Sequence, residues 1–325
     1  AVSAVFADNL WLAGRALAIS FSGVALFWVA RALRQVGLGR ALLWALALAA
    51  AGGAVTSLLQ AYGIYSEFFS LNRSPGGTFG NRNFMAHLGA IAAPVILYCG
   101  LTARGRLGSW LAWCALGIVA ATQVLSRSRA AWLALVACAV PILLLARIMR
   151  GRWISPETRP RLSSAGLVAL VGILAALMLP NTLEWRSDSP YLESVRGMVN
   201  YQEGSGRGRL VQYNNSLRMT LDRPLLGVGP GNWSVEYPRY ASRNDPSVTN
   251  ADEGLTANPW PSSDWVAFLA ERGVVATASP ALTLIALLIL AAWNVRGARS
   301  VDSILAALAL GGTVIATLVV GALDA

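Results

Sequence analysis

Two short runs of alternating arginine, Ser126-Arg127-Ser128-Arg129 and Gly206-Arg207-Gly208-Arg209, are the stretches of this chain whose residue types and spacing could do chemistry. All 26 basic residues are arginine. The guanidinium is a planar fork that can meet phosphate or carboxylate oxygens two at a time. Arginines fixed where negative charge gathers could therefore serve an anionic substrate without a metal ion. Metal chemistry is not expected, and no cofactor is implied. The single histidine, His87, and three cysteines, Cys99, Cys114 and Cys138, lie in apolar stretches and suit neither a ligand cluster nor a disulfide framework. His87 is the only imidazole that could take part in binding or proton transfer.

The elements that must position these residues are mostly membrane helices. The 325 residues are 55% hydrophobic and 13% charged, which excludes an ordinary soluble domain. Apolar stretches long enough for a ~30 Å hydrocarbon core fall near 12–31, 41–62, 84–102, 109–125, 130–147, 163–180, 274–293 and 302–322. The expected fold is thus an all-α polytopic membrane protein of about eight transmembrane helices. Three segments follow: membrane helices over 1–180, one large, mainly helical loop over 181–263, and a return helix with the last two spans over 264–325.

Short loops carrying Arg31, Arg34, Arg40, Arg104, Arg106, Arg147, Arg150, Arg152, Arg159, Arg161, Arg296 and Arg299 mark the cytoplasmic side. The Gly-rich 64–83 loop, the Ser126–Arg129 turn and the large loop then lie outside, which in a bacterium is the periplasm. ATP is absent there, so a reaction on that face must draw on an already activated substrate. The expected location is the bacterial inner membrane.

Within the large loop, Leu210, Tyr213, Leu217 and Leu221 predict an amphipathic helix over 207–221, and 189–202 predicts a weaker one. Gly227–Gly231 reads as a turn. Ser262 or Ser263 caps a helix from Asp264 to Glu271 that Gly273 closes. Asn83 reads as the cap of the helix at 84, with Asn81 and Arg82 beside it in the turn. Trp233, Trp260 and Trp265 read as interfacial tryptophans.

Several motifs look familiar. Gly77-Thr-Phe-Gly-Asn-Arg-Asn-Phe-Met-Ala86 resembles the G-x-x-G-N-P-N-x-x-A helix start of the O-antigen ligase and polymerase superfamily. Ser128-Arg129-Ala-Ala resembles its S-R-G/A-A helix start. The segments from Arg209 to Met219, Pro224 to Trp233, and Tyr237-Pro-Arg-Tyr240 resemble its large loop, and Asp264–Gly273 resembles the segment leading back into the membrane. The resemblance runs from about 76 to 294.

It implies metal-independent, inverting transfer of a glycan from an undecaprenyl-pyrophosphate carrier to a lipid, glycan or protein acceptor. Arg129 and Arg209 occupy family positions that would hold the pyrophosphate, with Arg82, Arg127 and Arg207 as neighbours. The implied partners are the polyprenyl-linked glycan and the bilayer, not nucleic acid. Where the family carries a histidine in H-N-x-Y-L, this chain reads Ser262-Ser263-Asp264-Trp265-Val266, so an acid, Asp264 or Glu271, would have to act on the acceptor. The other reading is a non-catalytic membrane subunit, or a transporter for a small solute such as inorganic carbon, on the same scaffold.

Overall fold

A computed structural model describes the chain apart from residues 1, 72, 149–157, 186, 199–203, 243–244, 246–247, 252–253, 258–260 and 324–325. The loop residues Arg150 and Arg152, the interfacial assignment of Trp260 and the end of the 189–202 helix fall outside the described residues.

Every expected apolar stretch is a helix. After a short α1 (Val2–Val5) come α2 (Leu10–Gln35), α3 (Gly39–Ala61), α4 (Arg82–Thr102), α5 (Arg106–Ser126), α6 (Arg129–Ile148) and α7 (Thr158–Met178). The segment between the spans contributes α8 (Pro190–Arg196), α9 (Gly204–Asp222) and the single turn α10 (Trp233–Glu236). Then α11 (Asp264–Gly297) and α12 (Val301–Leu323) complete the described chain. Among the described residues seven helices are long and apolar enough to cross a membrane, while α6 offers a shorter apolar run, Arg129–Leu145. The protein is a polytopic all-α membrane protein with one small addition. Strands β1 (Val248–Ala251) and β2 (Gly254–Ala257) pair antiparallel, Val248 opposite Ala257.

The chain divides into two compact units. One holds residues 1–36, 197–285 and 321–325; the other holds 37–196 and 286–320. The second is built around α4, the most enclosed of the candidate spans. It packs against α3, α5 and α6 through small residues. Ala86, Ala90, Ala131, Ala134 and Ala316 are fully buried. A Cβ on Gly89 would reach within 2.3 Å of the Gln123 amide nitrogen. Hydrocarbon gives helices no reason to associate by hydrophobicity, so close backbone approach and interhelical hydrogen bonds must do so. Gln123 Nε2 donates to the Ala86 carbonyl at 2.8 Å, and Cys138 Sγ to the Gly312 carbonyl at 3.0 Å.

The first unit has a different core. Met219, Val228, Trp233, Tyr237, Ala267 and Ala270 form it, with Trp233 and Tyr237 stacked at 4.4 Å. Trp233 is therefore no interfacial residue: it is buried, and its Nε1 donates to Ser216 Oγ at 2.8 Å. Helix α9 also departs from its sequence pattern. Its buried face carries Gln212, Asn215, Ser216, Met219 and Thr220, whereas Leu210, Leu217 and Leu221 are exposed. The polar face turns inward because partners wait there. Asn215 Nδ2 donates to Asp245 at 2.9 Å, as does the Tyr237 hydroxyl at 2.7 Å. Buried polar groups are tolerable when paired in this way.

Candidate functional site

In the second unit the Ser126–Arg129 junction sets the geometry. Arg127 closes α5 with φ 53°, the left-handed region, and is the one non-glycine residue there among the described residues. That conformation is sterically unfavourable for a residue with a side chain, so its surroundings must hold it. They do. Nε donates to Ser194 Oγ at 2.9 Å, Nη2 donates to Glu193 at 3.2 Å, and the guanidinium lies 4.6 Å from the Trp185 ring centroid. Arg82 lies over the same ring at 5.1 Å. The structure thus brings Arg82 and Arg127 together on one tryptophan. Helix α8, over Pro190–Arg196, carries Glu193 and Ser194.

Arg82 is held by the Gly-rich loop before it. Gln60 on α3 accepts from the Gly77 N–H at 2.8 Å and donates to Ser70 O at 2.8 Å and Ser74 Oγ at 3.0 Å. Gly77 has φ 53°, and a Cβ there would come within 2.6 Å of the Ser57 backbone nitrogen, so the loop sits directly on α3. Asn81, not Asn83, caps α4: its backbone is extended and its side chain accepts the Asn83 N–H at 3.0 Å, while Asn83 is already helical. His87 is buried one turn into α4, beside Phe84. Arg129 is the first residue of α6 and half-buried, following the buried Ser128.

In the first unit the site residues cluster around α9 and the start of α11. Arg209 is half-buried and Arg207 exposed. One turn on from Arg209, Gln212 accepts from the Ser262 hydroxyl, and the Tyr213 hydroxyl donates to the carbonyls of Ser262 at 3.2 Å and Ala322 at 3.0 Å. Ser263 caps α11 as the sequence pattern predicts: its carbonyl accepts from Ala267 N–H at 3.0 Å, and its hydroxyl donates to Gly321 O at 3.0 Å. Asp264 is exposed at the first position of α11. Glu271 is the acid with a structural task. Its carboxylate accepts the backbone N–H groups of Trp233, at 3.1 Å, and Gly231.

Around Glu271 the glycines fix the chain path. Gly273 interrupts α11 at φ 77°, and a Cβ there would lie 2.2 Å from Leu225 O. Val228 and Gly229 donate their N–H groups to the carbonyls of Ala270 and Glu271 at 2.9 and 2.8 Å. Gly227–Gly231 is therefore a turn docked onto the break in α11.

A carboxylate pair lies nearby. Burial pushes Glu236 above its ordinary value, while hydrogen bonding with Glu236 and the guanidiniums of Arg223 and Arg239 hold Asp8 below it. Arg239 also bridges to Glu236 at 2.7 Å. The sequence reading missed this pair, together with Trp185, Ser194, Asn215 and Asp245. Each is a lone polar or aromatic residue without a motif, and only the tertiary neighbours give it a role.

Five candidate residues, Asn81, Arg82, His87, Arg127 and Arg129, belong to one unit, and Arg207, Arg209, Asp264 and Glu271 to the other. The model of the family described as O-Antigen ligase matches residues 110–281, more than half of the chain. No curated protein matches it.

Proposed function

This chain belongs to the O-antigen ligase family, and on that premise we propose that it transfers a glycan from an undecaprenyl-pyrophosphate carrier to a lipid, glycan or protein acceptor on the periplasmic face of the bacterial inner membrane. The observation that carries the reading is the extent of the family match. It spans Arg127, Arg129, Arg207, Arg209, Asp264 and Glu271 in one stretch, 110–281. Asn81, Arg82 and His87 precede it.

In this reaction the bond from the anomeric carbon to the diphosphate oxygen breaks and the diphosphate leaves with the electron pair. The acceptor hydroxyl forms the new bond from the opposite face and loses its proton. Charge grows on the leaving diphosphate, and we assign Arg129 and Arg209 to it, because fixed guanidiniums stabilise developing charge without reorganising. Of the two acids, we assign the acceptor's proton to Asp264. Glu271 already spends its carboxylate on the Trp233 and Gly231 N–H groups, whereas Asp264 is exposed. The lipid-linked donor is itself activated, so the reaction consumes no nucleotide.

The test is transfer by purified protein supplied with lipid-linked donor and acceptor, comparing wild type with Arg209→Ala. Loss of transfer with an unchanged melting temperature supports the assignment. Undiminished transfer removes Arg209 from the mechanism.

A further inference from the structure

The second unit contains a polar cavity of about 370 Å³, lined by Tyr65, Ser74, Arg82, Thr182, Glu184 and Trp185 among others. That volume is within the ~300–1,000 Å³ usual for small-molecule sites. We propose that this cavity binds a carboxylate-bearing sugar, a uronic acid residue of the glycan, with Arg82 taking the carboxylate. The proposal rests on the reading that the chain handles a glycan, and it adds the chemical class of one of its sugars.

Three observations carry it. Arg82 has no carboxylate partner among the described residues; its one side-chain hydrogen bond there is a long contact, 3.5 Å, to the Ser74 carbonyl. Its neighbours sharpen this imbalance, because Arg73 and Arg127 both lie close enough to repel it. Arg127, by contrast, is matched by Glu193. Trp185 provides the second observation: its Nε1 is buried, and no acceptor among the described residues meets it. Trp185 lies beside Arg82 and Arg127 in the cavity wall, and what its side chain lacks is an acceptor for the N–H.

The third observation is Glu184, an acid on the same wall. It sets the charge of the ligand. With one unmatched guanidinium and one carboxylate lining the cavity, a singly charged group is accommodated, whereas a doubly charged phosphate meets repulsion. A carboxylate also fits the planar fork of arginine with two parallel hydrogen bonds. The rest of the wall suits sugar hydroxyls. The Thr182 and Ser74 hydroxyls already donate to the Ala61 and Leu71 carbonyls, and the Tyr65 hydroxyl is paired with Thr182, so these oxygens and Glu184 meet a ligand's hydroxyls as acceptors.

The experiment is calorimetric titration of the full chain in nanodiscs with methyl glucuronide, methyl glucoside and inorganic phosphate. The glucuronide is expected to bind about tenfold more tightly than the glucoside, the effect of one charge-assisted pair, and Arg82→Gln should bring the two level. Glu184→Gln, which leaves Arg82 in place, should raise phosphate affinity several-fold while the glucuronide still binds. Equal binding of glucoside and glucuronide overturns the proposal, as does phosphate competing as well as the glucuronide in wild type. A preference that survives Arg82→Gln, or a phosphate affinity unmoved by Glu184→Gln, overturns it too. No lipid-linked donor is present in this assay. Failure here leaves the transfer reading standing, while absence of transfer by the wild-type protein from lipid-linked donor to acceptor strikes that reading.

Discussion

The two alternating arginine runs look alike in sequence and are used differently. Ser126–Arg129 is a turn, and its first arginine is fixed by three partners, Ser194, Glu193 and the Trp185 ring. Gly206–Arg209 lies inside α9, where a spacing of two residues points the side chains to nearly opposite faces. There the first arginine is exposed and the second half-buried. In each pair the second member is the one assigned above to the leaving diphosphate, and the first does something else: Arg127 fastens the α5–α6 junction, and Arg207 is exposed. Equal spacing of equal residues therefore says little until the local backbone is known.

Substitutions within the two runs test that contrast. The largest effect is expected from Arg129→Gln and Arg209→Ala, each lowering transfer about 10²–10³-fold, as removal of one charge-stabilising donor does, with thermal midpoints near wild type. A collapse in stability that accounts for the lost activity would erase the distinction from Arg127. Arg127→Ala should instead lower stability by about 1–3 kcal/mol through its lost hydrogen bonds. Arg127→Gly should be milder than Arg127→Ala, because glycine accepts the left-handed backbone. The order of the two midpoints in thermal unfolding checks this.

Smaller still, Ser216→Ala should cost about 1 kcal/mol by stranding the buried Trp233 N–H, read from the same unfolding curves. Arg207→Ala should stay within about 0.5 kcal/mol and leave transfer rates close to wild type; a large loss of rate would make the two members of its pair equivalent.

The pH dependence is expected to be the finest of these effects. Glu236 has a raised folded value, so its contribution is full below the ordinary 4.5 and is lost as pH rises through the folded value. Asp8 works in the opposite sense, its contribution present above its ordinary value and lost as pH falls through the lowered one. Glu236→Gln should therefore remove the fall in thermal midpoint on the alkaline side of 4.5. A midpoint profile unchanged by the substitution would show that the carboxyl does not titrate in that window.

The helices were legible in the sequence because membrane spans need long uninterrupted apolar runs, and all eight expected stretches are helical. The break at Gly273 and the Ser263 cap were legible for the same kind of reason: each obeys a local backbone rule. What stayed hidden depends on neighbours distant in sequence. The apolar periodicity of Leu210, Leu217 and Leu221 predicts a core stripe, yet α9 buries the opposite face because Asp245, Tyr237 and Trp233 supply hydrogen-bond partners there. Asn83 was expected to cap α4, but the extended backbone falls at Asn81. Glu271 looked like one of two interchangeable acids until the N–H groups it receives were placed. The candidate arginines could be named, since arginine is conspicuous in an apolar chain, but their partners Trp185 and Ser194 could not.

The outward leucines of α9 have a practical consequence for handling this protein. Leu210, Leu217, Leu221 and Leu225 remain about half exposed or more in the intact chain. A fragment cut out at 181–263 would also lose Ala267, Ala270 and the Glu271 carboxylate, which back the core around Trp233. Such a fragment would behave as a surfactant, self-associating in plain buffer and dispersing in mild detergent. Ligand-binding work on this region therefore belongs in the full chain, reconstituted in lipid.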